Sequence, residues 1–168
     1  MDGKIIDIEI PNPANPSVAV EFARNLDRVS FYGFELGAEL MNLSRYFTAG
    51  AAFSVNGYKL NRTQDKEAFV MSSYPKITTS GFLLITPVRK LEIMPRLEYV
   101  SSRYAYTAGW EKDKLAAYRL VNIRAKYELC DYLSVTAGIN NIFDKLYSIR
   151  YRYPMAGRSY AFSLTYNY

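Results

Sequence analysis

The sequence predicts an all-β chain folded as one antiparallel sheet. Three observations carry that expectation. Strict apolar–polar alternation recurs along most of the chain, aromatic residues make up 15% of it, and its connections alternate between tight and long. A period of two puts alternate side chains on opposite faces of a strand. Tyrosine and phenylalanine, 16 and 9 of the 168 residues, suit a pleated and half-buried surface.

Lys4 to Ile10 reads as a first strand, and the proline-rich stretch Pro11 to Pro16 as the opening of a long loop. Tyr32, Phe34, Leu36, Ala38 and Leu40 then alternate with Gly33, Glu35, Gly37 and Glu39. Phe47, Ala49, Ala51, Phe53 and Val55 alternate with Thr48, Gly50, Ala52 and Ser54. Ile77 to Thr86 is the least regular strand. Leu91, Ile93, Leu97 and Tyr99 oppose Glu92, Arg96 and Glu98, while Val121 to Leu129 sets its apolar residues against Asn122, Arg124, Lys126 and Glu128. Leu133 to Ile139 alternates with Ser134, Thr136 and Gly138, and the last strand runs through Tyr160, Phe162, Leu164, Tyr166 and Tyr168.

Tight turns fall at Leu43-Ser44-Arg45, Arg89-Lys90 and Cys130-Asp131. Between them lie polar connections of about 20 residues (Gly57 to Lys76), about 14 (Arg103 to Ala116) and about 13 (Phe143 to Met155). Outer-membrane barrels pair short turns at one end with long loops at the other, and span the bilayer with tilted strands of roughly 9–11 residues. The expected architecture is therefore an antiparallel transmembrane β-barrel segment of about eight strands, with both termini on the short-turn side. A soluble barrel or sandwich with its apolar face inward gives the same alternation and stays open as an alternative. No apolar run approaches the roughly 20 residues of a membrane-spanning helix.

Composition removes several kinds of chemistry. Without histidine, imidazole-based catalysis and the usual zinc sites are handicapped, and a lone Cys130 supports neither disulfides nor thiolate clusters. Glu35 with Glu39, and Glu92 with Glu98, share strand faces, but such pairs read as wall charges with Arg96, Arg124 and Lys126 nearby. The chain is expected to be no enzyme and to hold no metal or cofactor. Its net charge of +5 comes from 21 basic and 16 acidic residues, a mixture and no block, so no nucleic-acid partner is expected. The opening Met1 to Asp7 lacks the basic and apolar regions of a secretory signal peptide, which leaves a cytosolic chain or a piece of something longer.

Asn140-Asn141-Ile142-Phe143-Asp144-Lys145-Leu146-Tyr147, then Pro154-Met155-Ala156-Gly157-Arg158 and a terminal aromatic strand, resembles the carboxyl-terminal end of TonB-dependent outer-membrane receptors. Arg28-Val29-Ser30-Phe31-Tyr32-Gly33-Phe34-Glu35 is similar to that family's R-x-x-x-Y-G-x-E strand, so the resemblance covers nearly the whole chain. It implies uptake of a scarce nutrient, such as siderophore-bound iron or cobalamin, at the outer membrane of a Gram-negative bacterium. A full receptor of this family has about 22 strands around an amino-terminal plug. Residues 1–168 are expected to be a single barrel segment without plug or signal peptide, not transport-competent alone. A complete small closed barrel with a structural or adhesive role is the competing expectation.

The resemblance assigns Asn140, Asn141, Phe143, Asp144, Tyr147, Pro154, Gly157 and Arg158 to holding the last hairpin together. It makes Tyr160, Phe162, Leu164, Tyr166 and Tyr168 the signal read by the barrel assembly machinery, which captures an edge strand by β-augmentation. Tyr104, Tyr106, Trp110 and Tyr118 cluster around one long loop, where they suit either an aromatic girdle or a ligand-binding mouth. Arg150 and Arg152, interleaved with Tyr151 and Tyr153, suit lipopolysaccharide phosphates or an anionic chelate. The expected ligand contacts are thus Tyr104, Tyr106, Trp110, Arg150 and Arg152. The expected partners are outer-membrane lipid, the assembly machinery, the rest of the receptor, and TonB through the plug alone.

Overall fold

The computed structural model describes residues 2–12, 15–60, 74–106, 112–150 and 152–168, with side chains from Ser30 onward except at 42–43, 60, 105–106 and 112. In chain order the strands are β1 (Asp2–Asn12), β2 (Asn15–Ser44), β3 (Phe47–Leu60), β4 (Ile77–Val88), β5 (Leu91–Val100), β6 (Arg103–Tyr106), β7 (Lys112–Leu115), β8 (Tyr118–Cys130), β9 (Leu133–Asn140), β10 (Ser148–Arg150), β11 (Tyr153–Pro154) and β12 (Ser159–Tyr166). Eight of them make one antiparallel sheet in the order β1-β2-β3-β4-β5-β8-β9-β12; β6 with β7 and β10 with β11 form two small ribbons in the long connections. β1 and β12 do not pair, so the sheet is open and the closed eight-stranded barrel is not its arrangement.

Register sorts the side chains as the alternation predicts. Phe34 faces Val55, Leu36 faces Phe53, Ile93 faces Ala125, Ile123 faces Ile139, and Val135 faces Leu164. One residue along, Glu35 faces Ser54, Glu92 faces Lys126, Arg124 faces Gly138, and Thr136 faces Ser163. Directly opposed residues of antiparallel strands lie on one face. From β2 to β12 the sheet therefore has one apolar face and one charged face.

The irregularity of β4 has a local cause. Its Phe82 lies on the charged face opposite Gly50, and a Cβ at Gly50 would run into the Phe82 ring. The ring covers the glycine of the neighbouring strand, so an aromatic side chain breaks the polar pattern without breaking the register.

Two expectations are corrected at the start of the chain. Pro11 to Pro16 does not open a long loop: Pro11 pairs with Ala19 and Asn12 with Asn15, so β1 and β2 pair up to residues 13–14, which lie outside the described residues. Nor does Lys4 to Ile10 lie level with the other strands. It pairs with Val20 to Leu26, the part of the 30-residue β2 beyond the segment that pairs with β3. Asp2 stands opposite Arg28, so β1 does not begin on the tight-turn side, whereas β12 does end there. Alternation reports which residues share a face and carries no information on how far along a neighbour a strand is shifted.

Candidate functional site

The three tight turns, at Arg45–Tyr46, Arg89–Lys90 and Asp131–Tyr132, lie at one end of the sheet. The long connections lie at the other, and two of them are tied together there. Arg103, 8% exposed, donates from Nη2 to the carbonyl of Ile149 at 2.8 Å, joining β6 to β10. The Tyr118 and Tyr147 rings pack at 4.6 Å between centroids. Burial, then Tyr118 and Glu98, raise the Tyr147 hydroxyl above its ordinary pKa. Leu115, at the end of β7, is buried.

The 141–158 connection opens on two of its three described residues with left-handed backbone, Asn141 (φ 52) and Asp144 (φ 52). Asparagine and aspartate tolerate that conformation because their short polar side chains bond locally. Asn141, 4% exposed, donates from Nδ2 to the Lys145 carbonyl at 3.0 Å and accepts from the Lys145 N–H at 2.9 Å. Its own N–H donates to Asn122 Oδ1 at 2.9 Å, which fastens the connection to a side chain of the charged face. Asp144 Oδ1 accepts the Arg158 N–H at 2.7 Å, and a Cβ at Gly157 would strike that same oxygen. Asn140 donates to Ser159 Oγ at 3.4 Å, the Met155 N–H donates to the Tyr147 carbonyl, and Pro154 pairs with Ser148 across the ribbon. Phe143 is exposed.

The expected ligand contacts are distributed over both ribbons. Tyr104 is exposed on β6, and Tyr106 closes that strand opposite Lys112. Arg150 ends β10 opposite Tyr153, and exposed Arg152 forms the turn with left-handed backbone (φ 58). Trp110 lies outside the described residues. Arg103, whose bond brings the ribbons together, was missed by sequence reasoning. Its neighbours Ser102 and Tyr104 give it no periodic signal, and its partner is a backbone carbonyl 46 residues away.

On the charged face, Arg96 pairs with Glu98 at 3.0 Å and Lys126 with Glu128 at 3.2 Å. Met94, Arg96, Asn122, Arg124 and Thr136 line a shallow depression of about 290 Å³ there. Such a wall has both signs of charge and exposed hydrogen-bond donors, which suits contact with water or polar protein. Tyr160, Phe162, Leu164 and Tyr166 stand exposed along the apolar face of β12, whose outer edge carries no strand among the described residues.

An open antiparallel wall with one apolar and one charged face, tight turns at one end and elaborated connections at the other, is a portion of a larger β-barrel. The family of TonB-dependent receptor-like β-barrels matches residues 2–142, and the chain belongs to that family. It is 46% identical over 64 residues to the vitamin B12 transporter BtuB of Photobacterium profundum, a stretch covering 38% of this chain and 11% of BtuB. The copper transporter OprC superposes on 98% of the chain with a TM-score of 0.75 at 17% identity, using 27% of its own length. The pyoverdine outer membrane receptor FpvA of Pseudomonas aeruginosa PAO1 does so over 98% with a TM-score of 0.69 at 20% identity, using 25% of its length. The chain thus spans about a quarter of these solved relatives, and the stretch matched to BtuB is about a tenth of that protein.

Proposed function

We propose that this chain is the carboxyl-terminal wall of an outer-membrane receptor that takes up a scarce nutrient in a Gram-negative bacterium. Membership of the receptor-barrel family supports the reading, and the separation of charge between the two faces of the sheet carries it. The apolar face meets lipid, and the charged face meets the lumen and the plug. Transport requires the upstream strands and the plug, and TonB is engaged through the plug. The nutrient is an iron–siderophore, cobalamin or a similar chelate. Pyoverdine on FpvA and vitamin B12 for BtuB support that class for this chain.

In this reading Tyr104, Tyr106, Trp110, Arg150 and Arg152 meet the nutrient at the mouth, by ring contact and by charge-assisted bonds to an anionic chelate. Asn140, Asn141, Phe143, Asp144, Tyr147, Pro154, Gly157 and Arg158 set the shape of the last connection. The free edge and aromatic face of β12, ending on Tyr168, are what the barrel assembly machinery captures by strand addition. The outer-leaflet lipids, lipopolysaccharide among them, complete the partners, and none of these roles calls for catalysis.

Single cysteines placed on β8 in a Cys130→Ser background test the reading in outer-membrane preparations. A water-soluble maleimide is expected to label positions 122, 124 and 126 and to spare 121, 123 and 125 until the lipid is extracted. Equal labelling of the two sets would count against a lipid-facing wall.

A further inference from the structure

Between Ser30 and Tyr166 the apolar face carries two charges, and their placement is informative. Among the described residues from Ser30 to Tyr166, the register puts Lys59 and Arg119 on that face and no aspartate or glutamate. Lys59 is the second-last residue of β3 and Arg119 the second of β8, so both adjoin long connections. The tight-turn half of the same face has no charge in its strands. The opposite face carries both signs within single strands, Glu92, Arg96 and Glu98 along β5 and Arg124, Lys126 and Glu128 along β8.

Both side chains are exposed, and neither has a carboxylate partner among the described residues. Arg119 lies over the ring of Tyr99, its cross-strand neighbour, with the guanidinium carbon 5.6 Å from the centroid. The face of the tyrosine ring attracts the cation, and the guanidinium keeps N–H donors for a further partner. On a lipid-facing wall an arginine costs about 2–4 kcal/mol at the midplane and about 0–1 near the interface. Its stem can lie along apolar surface while the head reaches the interface, where tyrosines also collect. A cation held there with no carboxylate partner among the described residues meets one class of anion in abundance, the phosphates of lipid headgroups, which an arginine fork binds bidentately.

We infer that Arg119, supported by Tyr99, and Lys59 three strands away in the sheet bind the phosphates of a phosphorylated membrane lipid at the long-connection rim. Charge complementarity argues for this occupant: between Ser30 and Tyr166 the face holds two cations and no anion, and the aspartate that the register adds, Asp2, stands opposite a further cation, Arg28, which fits an amphiphile with an acyl body and an anionic head. The inference rests on the reading of that face as lipid-facing. It differs from the Arg150 and Arg152 contact, which belongs to the ribbons beyond the sheet.

The test uses the full chain in dodecyl maltoside micelles, with native mass spectrometry reading the retention of lipid A bearing two phosphates. Retention is expected to fall about tenfold for lipid A stripped of phosphate, and by a similar factor for the Lys59→Gln/Arg119→Gln variant with unchanged far-UV circular dichroism. Arg124→Gln, on the opposite face, should retain lipid as the parent chain does. Equal retention of phosphorylated and phosphate-free lipid A by the parent chain overturns the inference, and that comparison needs no variant to fold. Displacement of the lipid by equimolar inorganic phosphate also overturns it, since the site would then recognise a free anion. A chain that is monodisperse and β-structured in plain buffer, with no gain of structure in detergent, overturns the lipid-facing reading and this inference together.

Discussion

The two faces of the sheet share one backbone and one register, yet a charge has a different consequence on each. On the charged face Glu92 meets Lys126 and Arg96 pairs with Glu98; one residue along, Leu91 meets Tyr127 and Leu97 meets Val121. A slip of one residue would exchange every such pair between the faces. In the proposed lipid-facing reading the register is specified from both sides, by hydrocarbon that rejects charge and by polar contacts that reward it. The largest expected effect tests this directly. Ile123→Arg should destabilise folding into lipid vesicles by about 2–4 kcal/mol, whereas Ser163→Arg, exposed opposite Thr136 on the other face, should change it by less than about 0.5 kcal/mol. Urea titration of vesicle-folded protein, followed by tyrosine fluorescence, reads both. Equal losses would break the comparison.

Asn122 is a poor control for that experiment, although it neighbours Ile123 on the charged face, because its Oδ1 accepts the Asn141 N–H. The charged face thus does more than tolerate water: it fastens the 141–158 connection. Asn141→Ala removes both side-chain bonds to Lys145 and leaves an alanine in left-handed backbone. A loss of about 2–3 kcal/mol is expected. Asn122→Ala leaves one buried N–H unpaired and should cost about 1 kcal/mol. Hydrogen exchange at Ile142 and Lys145 should quicken in both variants while exchange within β4 stays unchanged. Protection that survives Asn141→Ala would detach the connection from the face that is said to hold it.

Most of the sheet was legible in the sequence because its information is local. Phe47 to Val55 and Val121 to Leu129 declare both faces by alternation alone, and the turns at Arg89–Lys90 and around Asp131 are short enough to leave one way of pairing. The offset of β1 was not legible, since Lys4 to Ile10 alternates equally well wherever it pairs along β2. The motif from Asn140 to Arg158 was recognisable as a string of residue types, but the bond from Asn141 to Asn122 joins residues 19 apart and exists only after β8 and β9 pair. Arg103 was illegible for the same reason: a side chain bonded to a distant carbonyl leaves no trace in residue types.

Arg103 offers the next smaller effect and sharpens where the charged face ends. Its guanidinium is buried at the rim, bonded to Ile149, while Arg96 and Arg124 on the wall below are exposed. Arg103→Met keeps the apolar stem and removes the donor, so the cost is that of one charge-assisted bond, about 1–2 kcal/mol. It should be confined to the two ribbons, with faster exchange and faster proteolysis there and an unchanged urea transition for the strands. A shift in the global transition of the same size would place Arg103 within the sheet's own cooperative unit.

The smallest effect reports how far the charge of the wall reaches. Tyr147 keeps its proton to higher pH than an ordinary tyrosine through burial, Tyr118 and, last, Glu98 on the charged face. A folded-state pKa raised above the unfolded value means that this contribution is fully present below the ordinary tyrosine pKa, near 10. It is lost as pH climbs through the raised value, because the unfolded chain releases the proton first. Tyr147→Phe retains the ring against Tyr118 and has no proton to lose. Protection of the 141–158 connection in this variant should match the parent chain at pH 8 and exceed it at about pH 11. Glu98→Gln in the parent should bring the folded-state pKa back towards the unfolded one and so shrink the alkaline loss, by less than Tyr118→Phe does, since Glu98 is the weakest of the three causes. An alkaline loss that ignores Glu98 would confine the influence of the charged face to the side chains it touches.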